Sequence, residues 1–203
     1  MDILLLIAVT GMPGSGKSSV AKAIAEILGA EVYVMGDVVR REVARRGLEL
    51  NTRNLEAVAS ELRRLYGRSA VAKLLLEELR GLEAEYTVID GLRGREEAEV
   101  FRSLGGLCIV AVHSSPLTRY RRLLARGRRD DIRGWDDFRL RDERNIEFGI
   151  GEVIALADYM IVNEGSLEDL RKASERVAVA IRDGKGKDCS GGGGTPNRGL
   201  GEG

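Results

Sequence analysis

The feature that most constrains this chain is a glycine-rich segment at residues 11–18, GMPGSGKS, which matches the pattern GxxxxGK[ST]. An apolar run at residues 3–10 precedes it and predicts a buried strand, and helical spacing at residues 18–28 follows it. Between a strand and a helix, the backbone N–H groups of such a segment surround phosphate oxygens, and the helix N-terminus adds its positive dipole end. The segment therefore predicts a P-loop that binds a nucleoside triphosphate.

Two side chains of this predicted P-loop stand where phosphate chemistry needs them. Lys17 is expected to reach the outer phosphates, and Ser18 is expected to hold Mg²⁺ through its hydroxyl group. The alternative is a glycine-rich turn that binds nothing, which does not account for the lysine, the serine and the flanking elements together. The predicted donor-binding residues are Gly11, Met12, Pro13, Gly14, Ser15, Gly16, Lys17, Ser18 and Ser19.

Apolar runs alternate with helical patterns along the rest of the chain. Such strands, apolar throughout, predict a parallel sheet that helices cover on both faces. The strands are predicted at residues 3–10, 31–35, 87–90, 107–112 and 159–162. We therefore expect a doubly wound α/β fold of the P-loop NTPase class, with three layers, over residues 1–183. The glycine-rich residues 184–203 are expected to form a disordered tail.

The composition excludes several function classes. Lys and Arg together number 32, as do Asp and Glu, and this balance argues against a generic nucleic-acid-binding protein. Two cysteines, Cys108 and Cys189, are too few for a zinc cluster and imply no disulfide framework, which fits a reducing cytoplasm. The apolar start is too short to span a bilayer, and no basic segment precedes it as in a signal peptide. We therefore expect a cytoplasmic protein without a membrane partner.

Three short segments that follow predicted strands carry a resemblance to known enzymes. They are MGDVVR at residues 35–40, VIDGLR at residues 88–93 and VNEGS at residues 162–166. Together with the P-loop they resemble the adenylate kinase pattern of the nucleoside monophosphate kinase superfamily, and residues 157–163 are also similar to dephospho-coenzyme A kinase. Over residues 3–182 the chain resembles an archaeal family of adenylate-kinase-related P-loop proteins.

The resemblance implies cofactors and site residues. ATP is the implied donor, with Asp90 orienting Mg²⁺ through water and the backbone around Asn163 and Gly165 lying against the donor adenine. The helices of about residues 36–80 would form a small acceptor-binding region. Adenylate kinases read the adenine edge with a glutamine, and the nearest position here is Glu97, which can accept but not donate hydrogen bonds when ionised. The implied acceptor-binding residues are Gly36, Asp37, Arg40, Arg93 and Glu97.

An arginine-rich segment at residues 119–129 holds six arginines and no acid. It resembles the start of a short kinase lid, about residues 126–145, in which Arg126, Arg129 and Arg141 lie nearest the lid positions. Together with Lys17 and Arg93, these arginines would stabilise the charge that spreads over a transferred phosphoryl group. The alternative is a basic surface helix that contacts RNA.

Three hypotheses for the function follow. The first is a kinase of a small phosphorylated acceptor, most like a nucleoside monophosphate such as AMP, in which no base is needed because the acceptor is already ionised. The second is a kinase of dephospho-coenzyme A type, whose hydroxyl acceptor needs a carboxylate base, for which Asp37 is the candidate. The third is a nucleotide-binding ATPase or regulator with an RNA or protein partner. The sequence leaves the oligomeric state open.

Overall fold

A five-stranded parallel sheet forms the centre of the chain in a computed structural model, which describes residues 5–127, 132–184 and Cys189. The strand order is β2-β3-β1-β4-β5. The strands are β1 Leu5–Thr10, β2 Glu31–Val34, β3 Tyr86–Leu92, β4 Gly106–His113 and β5 Tyr159–Val162. All four strand pairings are parallel, which confirms the predicted fold class.

Nine helices connect and cover the strands in the described part of the chain. Local signals in the sequence fix several of their ends. The Asn51 side chain accepts a hydrogen bond from the Asn54 backbone N–H and so caps one helix, Pro116 opens another, and Gly29 ends the first in a left-handed conformation. The helices are α1 Lys17–Leu28, α2 Met35–Arg45, α3 Thr52–Tyr66, α4 Ala70–Leu79, α5 Arg95–Arg102, α6 Pro116–Arg126, α7 Trp135–Glu147, α8 Ile150–Ala155 and α9 Leu167–Gly184.

Each face of the sheet carries its own apolar core. All six residues of β1 are buried, and their side chains alternate between the two faces. Leu6 and Ala8 join the core that α2–α5 and α8 supply, whereas Leu5, Ile7 and Val9 join the core that α1 and α9 supply. The continuous apolar character of β1 therefore follows from helices on both sides, as the three-layer prediction requires.

A smaller third cluster joins α6 to α7, over the region predicted as a lid. Leu123 and Phe138 are buried there, and the Tyr120 ring packs edge-on against Trp135 at 5.0 Å between ring centroids. This aromatic packing holds the two helices together, so α7 has a fixed position relative to α6. Residues 128–131, which include the predicted lid residue Arg129, lie outside the described residues.

The two cysteines depart from the sequence expectation. Cys108, in the middle of β4, forms a disulfide with Cys189, and both residues are buried. The prediction that no disulfide forms is therefore wrong. It failed because the two partners lie 81 residues apart and only the fold brings them together. Cys189 was also assigned to a disordered tail, yet it packs against the sheet, while α9 extends to Gly184.

Candidate functional site

The P-loop lies where β1 passes into α1, at the edge of the sheet where the strands end. Two of its glycines have no room for a side chain. A Cβ atom at Gly11 would lie 2.3 Å from the Val112 carbonyl oxygen, and one at Gly16 would lie 2.4 Å from Asn163 Nδ2. Both glycines also have positive φ angles, 148° and 97°. The loop therefore curls tightly against β4 and the end of β5, in the strand–loop–helix arrangement that phosphate binding requires.

Asn163 supports this loop from below. Its side-chain Nδ2 donates to the Ser15 carbonyl oxygen at 2.8 Å, and its own carbonyl oxygen accepts from the Ser114 hydroxyl at 2.5 Å. The residue is buried, so its amide serves the loop conformation. Gly165 lies apart from it, beside Asp169 at the beginning of α9. Contact between the donor adenine and the backbone of residues 163–165 stays a prediction.

Two arginines of the arginine-rich segment also face inward. Arg119 is buried, donates to both carboxylate oxygens of Asp142 at 2.8 and 2.6 Å, and reaches the Pro13 carbonyl oxygen in the P-loop at 3.2 Å. Arg122 donates to the Ser114 hydroxyl oxygen and to the Asn163 carbonyl oxygen. The alternative to a lid was a basic surface helix that contacts RNA, whereas these two guanidinium groups brace the loop and α7.

The predicted catalytic residues converge around Lys17. Burial lowers the pKa of Lys17 to about 8; the nearby Asp90 carboxylate opposes this shift, and the guanidinium groups of Arg93, Arg141 and Arg126 reinforce it. These four residues come from β3, the segment after it, α6 and α7. The fold thus brings side chains from distant parts of the sequence close enough to Lys17 to change its charge.

Asp90 and Ser18 could hold a magnesium ion. Asp90 is buried near the end of β3, and its Oδ1 has no hydrogen-bond partner within the described residues. A buried carboxylate oxygen without a donor is costly unless a cation or water completes it. Ser18 is exposed in the first turn of α1. Oxygen ligands of this kind, one carboxylate and one hydroxyl beside a phosphate cradle, suit Mg²⁺ that keeps several waters.

A cavity of about 70 Å³ opens beside this group, between α2, α3, β3 and α7. Gly36, Arg40 and Arg93, which the resemblance assigned to the acceptor, line it together with Arg141 from the predicted lid. Asp37 does not line the cavity, and its Oδ1 accepts from Arg40 Nη1 at 2.6 Å. The free space suffices for a few waters or one small polar group.

Arg63 is a further cavity residue, one that sequence reasoning missed. Its guanidinium lies over the Phe148 ring at 4.4 Å, and its Nη2 donates to Glu97 Oε1 at 2.7 Å. The other carboxylate oxygen of Glu97 accepts from the Arg93 backbone N–H at 2.9 Å, and the Glu97 side chain is fully buried. In this arrangement Glu97 holds two cavity arginines in place and does not line the cavity. The sequence signal that could have led to this cluster is Glu97, an acid four residues after Arg93.

The cavity is strongly electropositive. The pKa of Arg93 is lowered to about 10, first by burial and then by the charges of Arg63 and Arg141, while Glu97 and Glu56 oppose the shift. Glu56 also lines the cavity, where it is ion-paired with Arg144. Burying guanidinium groups beside one another costs free energy, which an anionic ligand would recover. The arrangement can therefore bind a phosphate or a carboxylate next to the P-loop.

Comparison with known sequences identifies the family. Over 179 residues the chain is 53% identical to the UPF0200 protein of Aeropyrum pernix, covering 87% of this chain and 94% of that protein. The chain belongs to the UPF0200 family. The UPF0200 protein TK1334 of Thermococcus kodakarensis is 47% identical over 182 residues, covering 87% of this chain and 98% of its own length. The family model described as AAA domain matches residues 10–139.

Solved structures with a fold similar to that of this UPF0200 chain include two kinases. Shikimate kinase from Acinetobacter baumannii, in complex with shikimate, superposes with a TM-score of 0.61 over 91% of this chain and 96% of its own, at 17% identity. A gluconokinase from Sinorhizobium meliloti 1021 gives a TM-score of 0.50 over 87% of this chain and 95% of its own, at 22% identity. At these identities the likeness establishes the P-loop kinase fold.

Proposed function

We propose that this UPF0200 chain is an ATP- and Mg²⁺-dependent phosphotransferase whose acceptor is a small phosphorylated molecule, with a nucleoside monophosphate such as AMP as the first candidate. The position of Arg141 is the observation that carries the proposal. Arg141 lines the arginine-rich cavity and also lowers the pKa of Lys17 in the P-loop. One guanidinium group therefore lies close to both the donor site and the acceptor site, where a phosphoryl group in transfer needs positive charge.

The residues divide into donor and acceptor roles. The P-loop N–H groups and Lys17 bind the triphosphate, and Ser18 and, through water, Asp90 hold Mg²⁺, which neutralises charge on the phosphates. Arg40, Arg63 and Arg93 bind the acceptor anion within the cavity. An acceptor phosphate oxygen attacks the γ-phosphorus in line, the bond from that phosphorus to the β–γ bridging oxygen breaks, and ADP leaves. Arg126 and Arg141 stabilise the charge of the transition state.

The acid side chains favour a phosphate acceptor over a hydroxyl acceptor. A hydroxyl acceptor needs a carboxylate within reach to take its proton. Asp37 is paired with Arg40 outside the cavity lining, and Glu56, which does line the cavity, is paired with Arg144. A phosphate oxygen is already ionised and needs no base. The resemblance of residues 35–40 and 88–93 to adenylate kinases also supports AMP. The dephospho-coenzyme A alternative would have to recruit one of these paired acids, or Asp90, which is assigned to Mg²⁺.

The RNA-binding alternative receives less support. It relied on a basic surface formed by residues 119–129, yet Arg119 and Arg122 donate their hydrogen bonds to the P-loop, Ser114 and Asp142. Phosphate contacts to nucleic acid need exposed cations. Within the described residues, the segment therefore offers a smaller basic surface than its sequence suggests.

The experiment that tests the proposal is ADP release from MgATP, alone and with AMP, CMP, UMP, GMP or dephospho-coenzyme A. We expect strong stimulation by at least one nucleoside monophosphate, with the phosphorylated product appearing in equal amount. Stimulation by dephospho-coenzyme A alone would favour the second kinase hypothesis. Slow ADP release that is the same with every acceptor would contradict a kinase and favour an ATPase or regulator.

A further inference from the structure

Asn145 is a buried amide in the wall of the acceptor cavity. It lies on α7, one turn after Arg141, and only 3% of its surface is exposed. Its Nδ2 donates to the Arg141 carbonyl oxygen at 2.7 Å. Its Oδ1 is buried and has no hydrogen-bond partner among the residues that the structure describes. The amide nitrogen of Asn145 is therefore bonded within its own helix, whereas the amide oxygen lacks a donor within the described part of the chain.

The orientation of the Asn145 amide follows from the bond that it makes. Exchanging its oxygen and nitrogen would place two acceptors, Oδ1 and the Arg141 carbonyl oxygen, against each other. The free group is thus an acceptor rather than a donor. Leaving a buried acceptor unpaired costs about 1–3 kcal/mol, so native proteins rarely keep one without a use.

The Glu97 carboxylate beside the cavity is already occupied. Both carboxylate oxygens of Glu97 accept hydrogen bonds, one from Arg63 and one from Arg93. Glu97 is the position that the adenylate kinase resemblance assigned to the adenine ring of the acceptor. Among the described residues that line the cavity, Asn145 alone has a buried side-chain oxygen without a hydrogen-bond partner. The rest of the polar lining is dominated by guanidinium groups, which only donate.

We propose that Asn145 Oδ1 accepts a hydrogen bond from an N–H or O–H group of the acceptor substrate and so determines which anions the cavity accepts. This inference rests on the proposed function, because it assigns the cavity to the acceptor. The site then selects molecules that carry two features, an anionic group for Arg40, Arg63 and Arg93 and a donor group for α7. In a nucleoside monophosphate, the donor is either an exocyclic amine of the base or a ribose hydroxyl.

Binding to the full chain tests this contact through matched pairs of ligand and variant. Affinities are measured by calorimetry in the presence of Mg²⁺ and a non-hydrolysable ATP analogue. The ligands are AMP, purine riboside 5′-monophosphate, which lacks the amine, and 2′,3′-dideoxy-AMP, which lacks both ribose hydroxyls. We expect wild type to bind one of the two analogues roughly tenfold more weakly than AMP, the size of one lost hydrogen bond. The analogue affected identifies the donor group.

Two substitutions separate recognition from support of the helix. Asn145→Leu removes the acceptor, so it should bind AMP and the affected analogue equally weakly. Asn145→Asp also loses the bond to Arg141 but keeps an acceptor oxygen, so it should still prefer AMP. Asn54→Leu is the matched control, because Asn54 also donates to a backbone carbonyl, that of Glu49, but lies outside the cavity lining. It should leave all three affinities unchanged.

Several outcomes would overturn the inference. If Asn145→Leu and Asn145→Asp weakened all three ligands by the same factor, Asn145 would only support Arg141. If wild type bound AMP and both analogues equally well, or bound none of them, Oδ1 would have no role in recognition of these acceptors. The proposed function fails separately, because a ligand can bind with the expected discrimination in calorimetry and yet receive no phosphoryl group in the ADP-release assay.

Discussion

The proposed donor and acceptor sides of this site are built in different ways. The donor side is mostly backbone: eight consecutive residues curl at the end of β1, and Asn163 and Arg119 brace them through carbonyl oxygens. The acceptor side is mostly side chain: Arg40, Arg63 and Arg93 come from α2, α3 and the end of β3. A backbone site leaves a contiguous sequence motif, whereas a side-chain site is assembled from single residues at unrelated positions.

The largest effect is expected on the donor side. Lys17→Ala should reduce acceptor-dependent turnover by about 1000-fold and also weaken ATP binding, because it removes the charge that reaches the outer phosphates. ADP release and calorimetry with the ATP analogue measure the two effects. Lys22→Ala, an exposed lysine on the same helix, is the control and should behave as wild type. Full activity of Lys17→Ala would mean that the P-loop binds no reacting phosphate.

A smaller effect, on turnover but not on ATP affinity, is expected from a substitution on the acceptor side. Arg93→Ala should reduce acceptor-dependent turnover by about 100-fold while ATP affinity stays the same, because Arg93 lines the acceptor cavity. Arg95→Ala, exposed two residues further on, is the matched control. Unchanged turnover in Arg93→Ala would show that the acceptor binds elsewhere. An equal loss of ATP affinity would show that the two sides are not separate.

Alkaline pH should also distinguish the two sides. The pKa of Lys17 is lowered to about 8, so its ammonium loses its proton as the pH rises through that value, whereas Arg93, with a pKa of about 10, keeps its charge. Affinity for the ATP analogue should therefore fall about tenfold from pH 7 to pH 9. Acceptor affinity, measured at saturating analogue, should stay nearly constant. A parallel fall in both affinities would contradict the assignment of Lys17 to the donor alone.

Loss of the disulfide should lower the stability of the chain. Its effect on turnover should be smaller than those of Lys17→Ala and Arg93→Ala. Cys189→Ser opens a cross-link between residues 81 positions apart, which lowers the free energy of unfolding by about 4.5 kcal/mol if loop entropy dominates. Urea unfolding of the variant, and of wild type with and without a reductant, measures this. The reductant should lower the stability of wild type only. Equal stability of variant and oxidised wild type would show that the cross-link constrains nothing.

The contrast between the two sides also explains what sequence reasoning could reach. The P-loop and the five strands were predictable, because each depends on neighbouring residues or on an apolar run. Arg40, Arg93 and Arg141 were reached only through the resemblance, and all three line the cavity. Arg63 and Asn145 were missed, since on a helix they resemble surface residues until α3 and α7 pack around the cavity.

Two structural roles were missed for a related reason. Contact between adenine and the backbone at Asn163 stays a prediction, but the support that its side chain gives to the P-loop, 148 residues earlier, had no signal in the sequence. Arg119 and Arg122 suggested a basic surface, because their hydrogen-bond partners, such as Asp142 and Ser114, come close to them only when the chain folds. A buried polar contact between distant segments has no periodicity or spacing, so only the folded arrangement identifies it.

The bond between Cys108 and Cys189 also turns part of the chain into a closed covalent ring. The ring contains α6, α7, β5 and α9, and with them Arg126, Arg141, Asn145 and Asn163. A protease that cuts the backbone once inside the ring leaves a single molecule, whose two pieces separate only on reduction. The side chains that α7 contributes to the cavity thus stay covalently tethered to the sheet from at least one end of the helix, even in a nicked molecule.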